Sequence, residues 1–286
     1  MSTEPHFLVV DGYSRAGRDD LEVGGATTAG LLYREMLFRL SPGCTVDVIY
    51  PADPGVRLPD GAGLESYDGL AWTGSSLTVW KENDPDVIPQ IELMKAAYRY
   101  QVPSFGSCWA AQIGAVAAGG RCVAHPYGRE MGIARKVSLT PEGRGHPMYQ
   151  GKPTVFDAFI SHDDEVTHLP AGGLCLASNT YTRVQALSII HQGGVIWAVQ
   201  YHPEYDLHEL ARLIHCRTQK LVGLSFFVDE ADAANYVTRL EALHQDPTRK
   251  DLAWQLGIDS DLMNADVRTL EVRNWIEQLV LPSMRR

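Results

Sequence analysis

Short apolar runs alternate with stretches of helical spacing through most of the chain, and that alternation leaves few folds open. Phe7 to Val10, Thr45 to Tyr50, Gly69 to Thr73 and Gln101 to Phe105 read as buried strands. Thr27 to Leu40 and Pro89 to Tyr100 read as the helices between them. Alternation of this kind predicts an α/β fold in three layers, a doubly wound and mostly parallel sheet covered on both faces. Between Gly132 and Gln200 short strands follow one another across Gly and Pro turns, at Ile133 to Leu139, Val155 to Ser161 and Leu174 to Ala177. These read as strands added on the far side of the sheet. Beyond Tyr205 only helical spacing remains, in Leu207 to Leu221, Glu230 to His244 and Val267 to Val280, with a boundary at Asp246-Pro247-Thr248. The chain divides accordingly into a main unit over residues 1–222 and a helical C-terminal extension over residues 223–286. That extension serves as a cap on the sheet, a lid, a brace or a dimer surface.

The chemistry begins in Val102-Pro103-Ser104-Phe105-Gly106-Ser107-Cys108-Trp109-Ala110-Ala111-Gln112. A strand runs into the tight turn Gly106-Ser107, and a helix of small apolar residues follows from Trp109 to Ala118, so Cys108 stands at a strand-to-helix corner. Free backbone N–H groups and the positive end of the helix dipole favour a thiolate there, the form that attacks a carbonyl carbon. Gly106 and Ala110, two positions to either side, are small enough to let the turn close. Val195 to Tyr201 is a second buried strand, and it delivers His202-Pro203-Glu204. Pro203 forces His202 toward extended backbone, where residues two apart face the same side. His202 and Glu204 can therefore meet, with Cys108 as nucleophile, His202 as proton shuttle and Glu204 orienting the ring.

These residues resemble the class I (triad) glutamine amidotransferases, most closely the amidotransferase domain of GMP synthase. The resemblance spans roughly Val48 to Leu213 and rests on four segments in order. Trp72-Thr73-Gly74-Ser75-Ser76 is similar to the family's Gly-Gly-Pro oxyanion loop, and Gly106 to Gln112 to its nucleophile elbow. Phe159-Ile160-Ser161-His162-Asp163-Asp164-Glu165-Val166 resembles the Ser-His-Gly-Asp-x-Val segment of GMP synthase, and Gln200 to Glu204 the His-Pro-Glu close. The resemblance implies an oxyanion hole from the backbone N–H groups of Gly74 and Trp109. It implies substrate contacts at Ser75, Gln112, Ser161 and His162, the last two largely through main-chain groups. An oxyanion donor is worth about 2.7–4 kcal/mol, so the Gly74 loop ranks close to a triad member. Two positions depart from the pattern: Ala110 stands where the family has Gly, and Thr73-Gly74-Ser75 where it has Gly-Gly-Pro.

Composition narrows the partners. With 286 residues, 45% of them apolar and 21% charged, the chain is large enough for one sizeable core and an appendage. A formal net charge of −10 argues against nucleic acid or an anionic membrane. No apolar run approaches the roughly 20 residues of a membrane helix, and no secretory leader is recognisable at Met1 to His6, which predicts a cytoplasmic protein. The five cysteines, at 44, 108, 122, 175 and 216, show no paired spacing and suit a reducing compartment. Cys122 and His125 lack a second metal-like pair, and the other histidines are scattered, so no metal is expected. Asp11-Gly12-Tyr13-Ser14-Arg15-Ala16-Gly17 is either a substrate loop or a connecting turn. Gly24-Gly25-Ala26-Thr27-Thr28 lacks the ending of a phosphate loop and reads as a flexible lead into a helix.

The reaction implied by the resemblance is attack of Cys108 on a γ-glutamyl amide, loss of ammonia or an amine, and hydrolysis of the γ-glutamyl thioester, with no cofactor. No ATP-binding or acceptor segment is recognisable after the triad. Three readings follow. The first is a stand-alone hydrolase of a small-molecule γ-glutamyl substrate, with Trp72, Trp80 and Trp109 either lining a pocket for an apolar leaving group or packed in the core. The second is a glutaminase subunit feeding a synthetase partner, with the C-terminal helices as docking or homo-oligomer surface. The third is a catalytically silent binding or regulatory protein, which the intact Cys108, His202 and Glu204 disfavour.

Overall fold

Every residue of Phe7-Leu8-Val9-Val10 is buried, as a strand covered on both faces requires. In the computed structural model, which describes residues 4–59, 62–81 and 83–284, this run is β1 (His6–Val10). It pairs in parallel with β2 (Thr45–Ile49) and with β3 (Gly69–Trp72), and β3 pairs in parallel with β4 (Ser104–Ser107). The later strands are β5 (Arg121–Ala124), β6 (Glu130–Leu139), β7 (Val155–His162), β8 (Asp164–His168), β9 (Gly173–Ser178), β10 (Ala186–His191) and β11 (Gly194–Val199). Among the described residues the main sheet has nine strands in the order β2-β1-β3-β4-β11-β10-β9-β6-β7, and β5 with β8 forms a separate ribbon. From β2 to β11 the pairing is parallel; from β11 to β7 it is antiparallel.

The period-two alternation of β1 sorts its side chains onto two cores. Phe7 and Val9 face Tyr33, Met36 and Leu37 of the helix Ala29–Leu40, whereas Leu8 and Val10 face Met94, Ala97 and Tyr98 of the helix Ile88–Tyr100. The three layers expected from the sequence are present, and β6, β7 and β9 lie on the far side as read. Three strands escaped the sequence reading. β5 and β8 are short and, among the described residues, pair with each other alone, and β10 is joined to β11 by the two residues Gln192-Gly193.

Helix boundaries differ where a single residue intervenes. Arg15–Val23 is helical, begun by Ser14, whose Oγ accepts from the Gly17 N–H at 3.3 Å. The helix expected over Leu207 to Leu221 breaks at Arg217 into Leu207–Cys216 and Thr218–Gly223. The one expected over Val267 to Val280 is divided into Ala265–Arg268, Leu270–Trp275 and a π-helical turn over Ile276–Val280. Trp275 is fully buried beside Phe7 and Phe105, with ring centroids 5.5 and 6.0 Å away. Gly69 makes that possible, since a Cβ there would fall 2.8 Å from the indole. Other parts of the tail cover the sheet's edge: the Asp157 N–H of β7 donates to Asp261 Oδ2 at 2.7 Å, which leaves less of that edge open to foreign strands.

A buried polar knot ties this tail to the strand that leads into His202. Lys152 Nζ lies 2.9 Å from Glu271 Oε2, and the Tyr201 hydroxyl donates to Glu271 Oε1 at 2.5 Å. The Tyr149 hydroxyl bonds that of Tyr201 at 2.8 Å. Side-chain exposures of 3% for Lys152 and 0% for Glu271 mean that removing one charge strands the other away from water. Lys152→Met is therefore expected to lower the unfolding free energy by roughly 3–5 kcal/mol, and adding Glu271→Gln to recover most of it. Denaturant titration of the single and double variants checks this; a double variant weaker than the single one by an equal further step would contradict it.

Candidate active site

Cys108 occupies the corner between β4 and the helix Trp109–Ala117 with φ 49° and ψ −94°. A side chain at positive φ costs about 1–3 kcal/mol, which the surrounding hydrogen bonds and packing must offset. The Cys108 N–H donates to the Val199 carbonyl at 2.7 Å, fastening the corner to the end of β11. Gly106 has no room for a side chain: a Cβ would fall 2.3 Å from the Trp72 carbonyl oxygen and 2.4 Å from Ala110 Cβ. The methyl of Ala110 thus fits where the family has Gly because Gly106 carries none.

The His202 N–H donates to the Phe159 carbonyl of β7 at 2.8 Å, fixing the backbone past β11. Its Nδ1–H donates to Glu204 Oε1 at 2.7 Å, the meeting anticipated from their spacing. Ser107, which the sequence reading passed over, donates its hydroxyl to the same oxygen at 2.8 Å. The Tyr205 ring lies parallel to the imidazole with centroids 4.0 Å apart, closing its other side. Nε2 is buried with no hydrogen-bond partner among the described residues, and Cys108 Sγ rests 3.6 Å from the Ser161 carbonyl oxygen. Gly74 shows how near the two groups are, since a Cβ there would fall 2.8 Å from His202 Cε1 and 3.7 Å from Cys108 Cβ. Burial pushes the His202 pKa down, but the Glu204 carboxylate and the Cys108 sulfur outweigh it and raise it to about 9.

Gly74 and Trp109 flank this pair. Neither backbone N–H has an acceptor among the described residues, so both are free for an oxygen bound beside Cys108. The loop is held by the segment after β1. Ser75 Oγ donates to the Gly12 carbonyl at 2.8 Å, and the Gly12 N–H donates to Thr73 Oγ1 at 3.0 Å. A Cβ on Gly12 would fall 2.7 Å from the Trp109 indole. The Asp11 to Gly17 segment is therefore a clamp on the loop, and its Tyr13 also borders the cavity.

Cys108 and His202 share a cavity of about 100 Å³ that also takes in Ser75, Gln112, Ser161 and His162. Gln112 is fixed by donation from Nε2 to the Asp164 carbonyl at 3.2 Å. The His162 ring is held between Glu130 Oε2 and the Asp164 carbonyl, each 2.9 Å away, so its side chain braces the segment. Arg129, Arg217, Lys220, Asp163 and Asp164 complete the polar wall. For Asp163, burial alone would raise the carboxyl pKa, yet Arg129 and Lys220 hold it below the ordinary range; for Asp164 burial prevails and raises it. Arg217 interrupts an otherwise apolar helix face, a pattern that does not say which way a side chain turns where the helix breaks. Arg129 has no such pattern around it.

The tryptophans divide differently from the pocket reading. Trp72 and Trp109 are buried at 0% and 1% exposure, with Trp109 Nε1 donating to Gln90 Oε1 at 2.7 Å, so both belong to the core beneath the site. Trp80 is 45% exposed and donates from Nε1 to Asp164 Oδ1 at 3.1 Å, which puts its indole beside the cavity wall.

Known proteins resemble the chain in sequence and in fold. The model of the family "Glutamine amidotransferase class-I" matches residues 80–215. The chain is 31% identical to a γ-glutamyl-L-1-hydroxyisopropylamide hydrolase of Pseudomonas sp., over 98% of this chain and 95% of that protein. It is 26% identical to a GMP synthase (glutamine-hydrolyzing) of a Nitratiruptor species, over 69% of this chain but 37% of that longer protein. A glutamine amidotransferase of Thermotoga maritima superposes with a TM-score of 0.64 at 17% identity, covering 97% of this chain and 98% of the other, a likeness of fold. Near one-third identity to a relative along the whole chain, the matched family segment and the shared architecture together carry one conclusion: the chain belongs to the class I glutamine amidotransferase family.

Proposed function

We propose that the chain hydrolyses γ-glutamyl amides, with Cys108, His202 and Glu204 as catalytic residues and the Gly74 and Trp109 N–H groups as oxyanion hole. The observation that carries the reading is the imidazole held by Glu204 while its free nitrogen lies buried beside Cys108 in one cavity. Cys108 passes its thiol proton to His202 and its sulfur adds to the amide carbon, while the developing oxyanion takes the two N–H groups. The C–N bond breaks as His202 gives its proton to the departing amine or ammonia. A γ-glutamyl thioester remains; His202 then takes a proton from water, which attacks the thioester and releases glutamate and the thiol. No step requires a cofactor.

The whole-length likeness to a protein named as a γ-glutamyl amide hydrolase favours amine conjugates over free glutamine as substrates. The likeness to GMP synthase supports a second reading, a glutaminase that feeds ammonia to a separate synthetase. A panel of γ-glutamyl alkylamides, γ-glutamyl anilides and L-glutamine, given to the purified chain, separates them. The first reading expects faster release of amines than of ammonia; the second expects only glutamine turnover, dependent on an added synthetase. A folded chain inert toward every compound, alone or with a synthetase, contradicts both.

A further inference from the structure

Arg217 is a cation without a counterion. It stands at the break between Leu207–Cys216 and Thr218–Gly223, where the interrupted helical ladder turns its side chain into the cavity. Nη1 donates to Ser161 Oγ at 2.8 Å and Nη2 approaches the Tyr13 hydroxyl at 3.4 Å. No carboxylate among the described residues pairs with it. Arg129, just ahead of β6, also lines the cavity and donates from Nη2 to the same Ser161 Oγ at 2.7 Å. Arg129 and Lys220 both draw on Asp163, and Asp164 is engaged by Trp80. The wall therefore holds three cations and two carboxylates; Asp163 is shared by Arg129 and Lys220 and Asp164 is turned to Trp80, which leaves Arg217 as the excess cation of a partly desolvated site, best offset by a bound anion.

We infer that Arg217, with Arg129, binds the α-carboxylate of the γ-glutamyl group. This assignment rests on the function proposed above and names side chains where the family resemblance points to main-chain groups. Ser161 supplies the ruler: its carbonyl oxygen touches Cys108 Sγ while its hydroxyl touches both guanidinium groups. The cations thus stand about one residue's span from the reacting sulfur, as the α-carboxylate of a γ-glutamyl chain stands from its amide carbon. Planar guanidinium forks match a carboxylate in two parallel hydrogen bonds, which a lysine does not reproduce. Asp163 and Asp164 border the same cavity and can face the α-ammonium. The substrate class that fits is an α-amino acid with a free carboxylate, attached through its γ-amide.

The test compares L-γ-glutamyl-p-nitroanilide with 4-aminobutyryl-p-nitroanilide, which lacks only the carboxylate, on the unaltered protein, Arg217→Met and Arg217→Lys. The unaltered protein should prefer the carboxylate-bearing anilide. Arg217→Met should raise KM for it about 10- to 100-fold, with a smaller change in kcat, and leave little preference between the two; Arg217→Lys should fall between. A preference that persists in a folded Arg217→Met overturns the assignment. Calorimetric titration with L-glutamate and 4-aminobutyrate keeps the question separate from turnover. If no γ-glutamyl compound is cleaved, the proposed function fails, yet glutamate binding lost in Arg217→Met upholds the carboxylate site, and binding that is absent or independent of Arg217 removes it.

Discussion

Cys108→Ala is expected to abolish turnover of γ-glutamyl amides, by roughly 10⁴-fold or more, while the protein keeps its fold. Removing the nucleophile of a triad hydrolase costs about 10⁶ in kcat, and what survives comes from the oxyanion donors and substrate binding alone. The side chain itself contributes little packing. Among the described residues its sulfur makes one weak hydrogen bond to a carbonyl, that of Ser161 at 3.6 Å, and the backbone bond to Val199 does not depend on residue type. The strained φ of 49° is equally awkward for alanine, so the corner's conformational cost is unchanged. Thermal unfolding of the variant should therefore stay close to that of the parent. Acid quenching during turnover, followed by mass analysis, should find an acyl adduct on the parent and none on Cys108→Ala. Turnover retained by the variant would show that another group attacks.

That the sulfur could be picked out from sequence, and Arg217 could not, follows from how each is positioned. Gly106-Ser107-Cys108 lies between a buried strand and a helix of small residues, so local chain geometry alone sets the corner. His202 and Glu204 are likewise two positions apart, and a short-range rule was enough to bring them together. Strand alternation fixed the layers for the same reason, since Phe7 and Leu8 must face opposite ways whatever else the chain does. Arg129, Arg217 and Ser107 acquire their roles only through partners 32, 56 and 97 positions away. An arginine that turns inward has the same local sequence as one that stays in water. The indoles illustrate the converse: Trp72 and Trp109 border the site in sequence yet lie beneath it, because their strand and helix bury those faces against the sheet. Helix ends were least legible where one polar side chain, such as that of Ser14, decides whether a helix begins.

Glu204→Gln is expected to cost roughly 10⁴-fold in turnover, less than loss of the nucleophile, because the orienting acid of a triad is worth less than the attacking group. An amide oxygen can still accept from His202 Nδ1 and from Ser107, so the ring keeps a partner. What disappears is the negative charge. Burial pulls the His202 pKa down, while the Glu204 carboxylate and the Cys108 sulfur pull it up, to about 9; without the Glu204 charge the pKa falls and the ring loses its proton more readily. The imidazolium that protonates the leaving amine then becomes scarcer at neutral pH. Stability carries the same signature. A histidine whose pKa is higher folded than unfolded, where it lies near 6.5, adds stability that is fully present below about pH 6.5 and is lost as pH rises through about 9. Between those limits the parent's unfolding free energy should fall toward that of Glu204→Gln. The gap should be widest below about pH 6.5, where that contribution is complete; a further, pH-independent offset is expected because Glu204 Oε2 has no hydrogen-bond partner among the described residues and the new amide NH₂ would be buried there unsatisfied. Denaturant midpoints measured from pH 6 to 9.5 in both proteins decide it: parallel curves would mean that Glu204 does not hold the charge on His202.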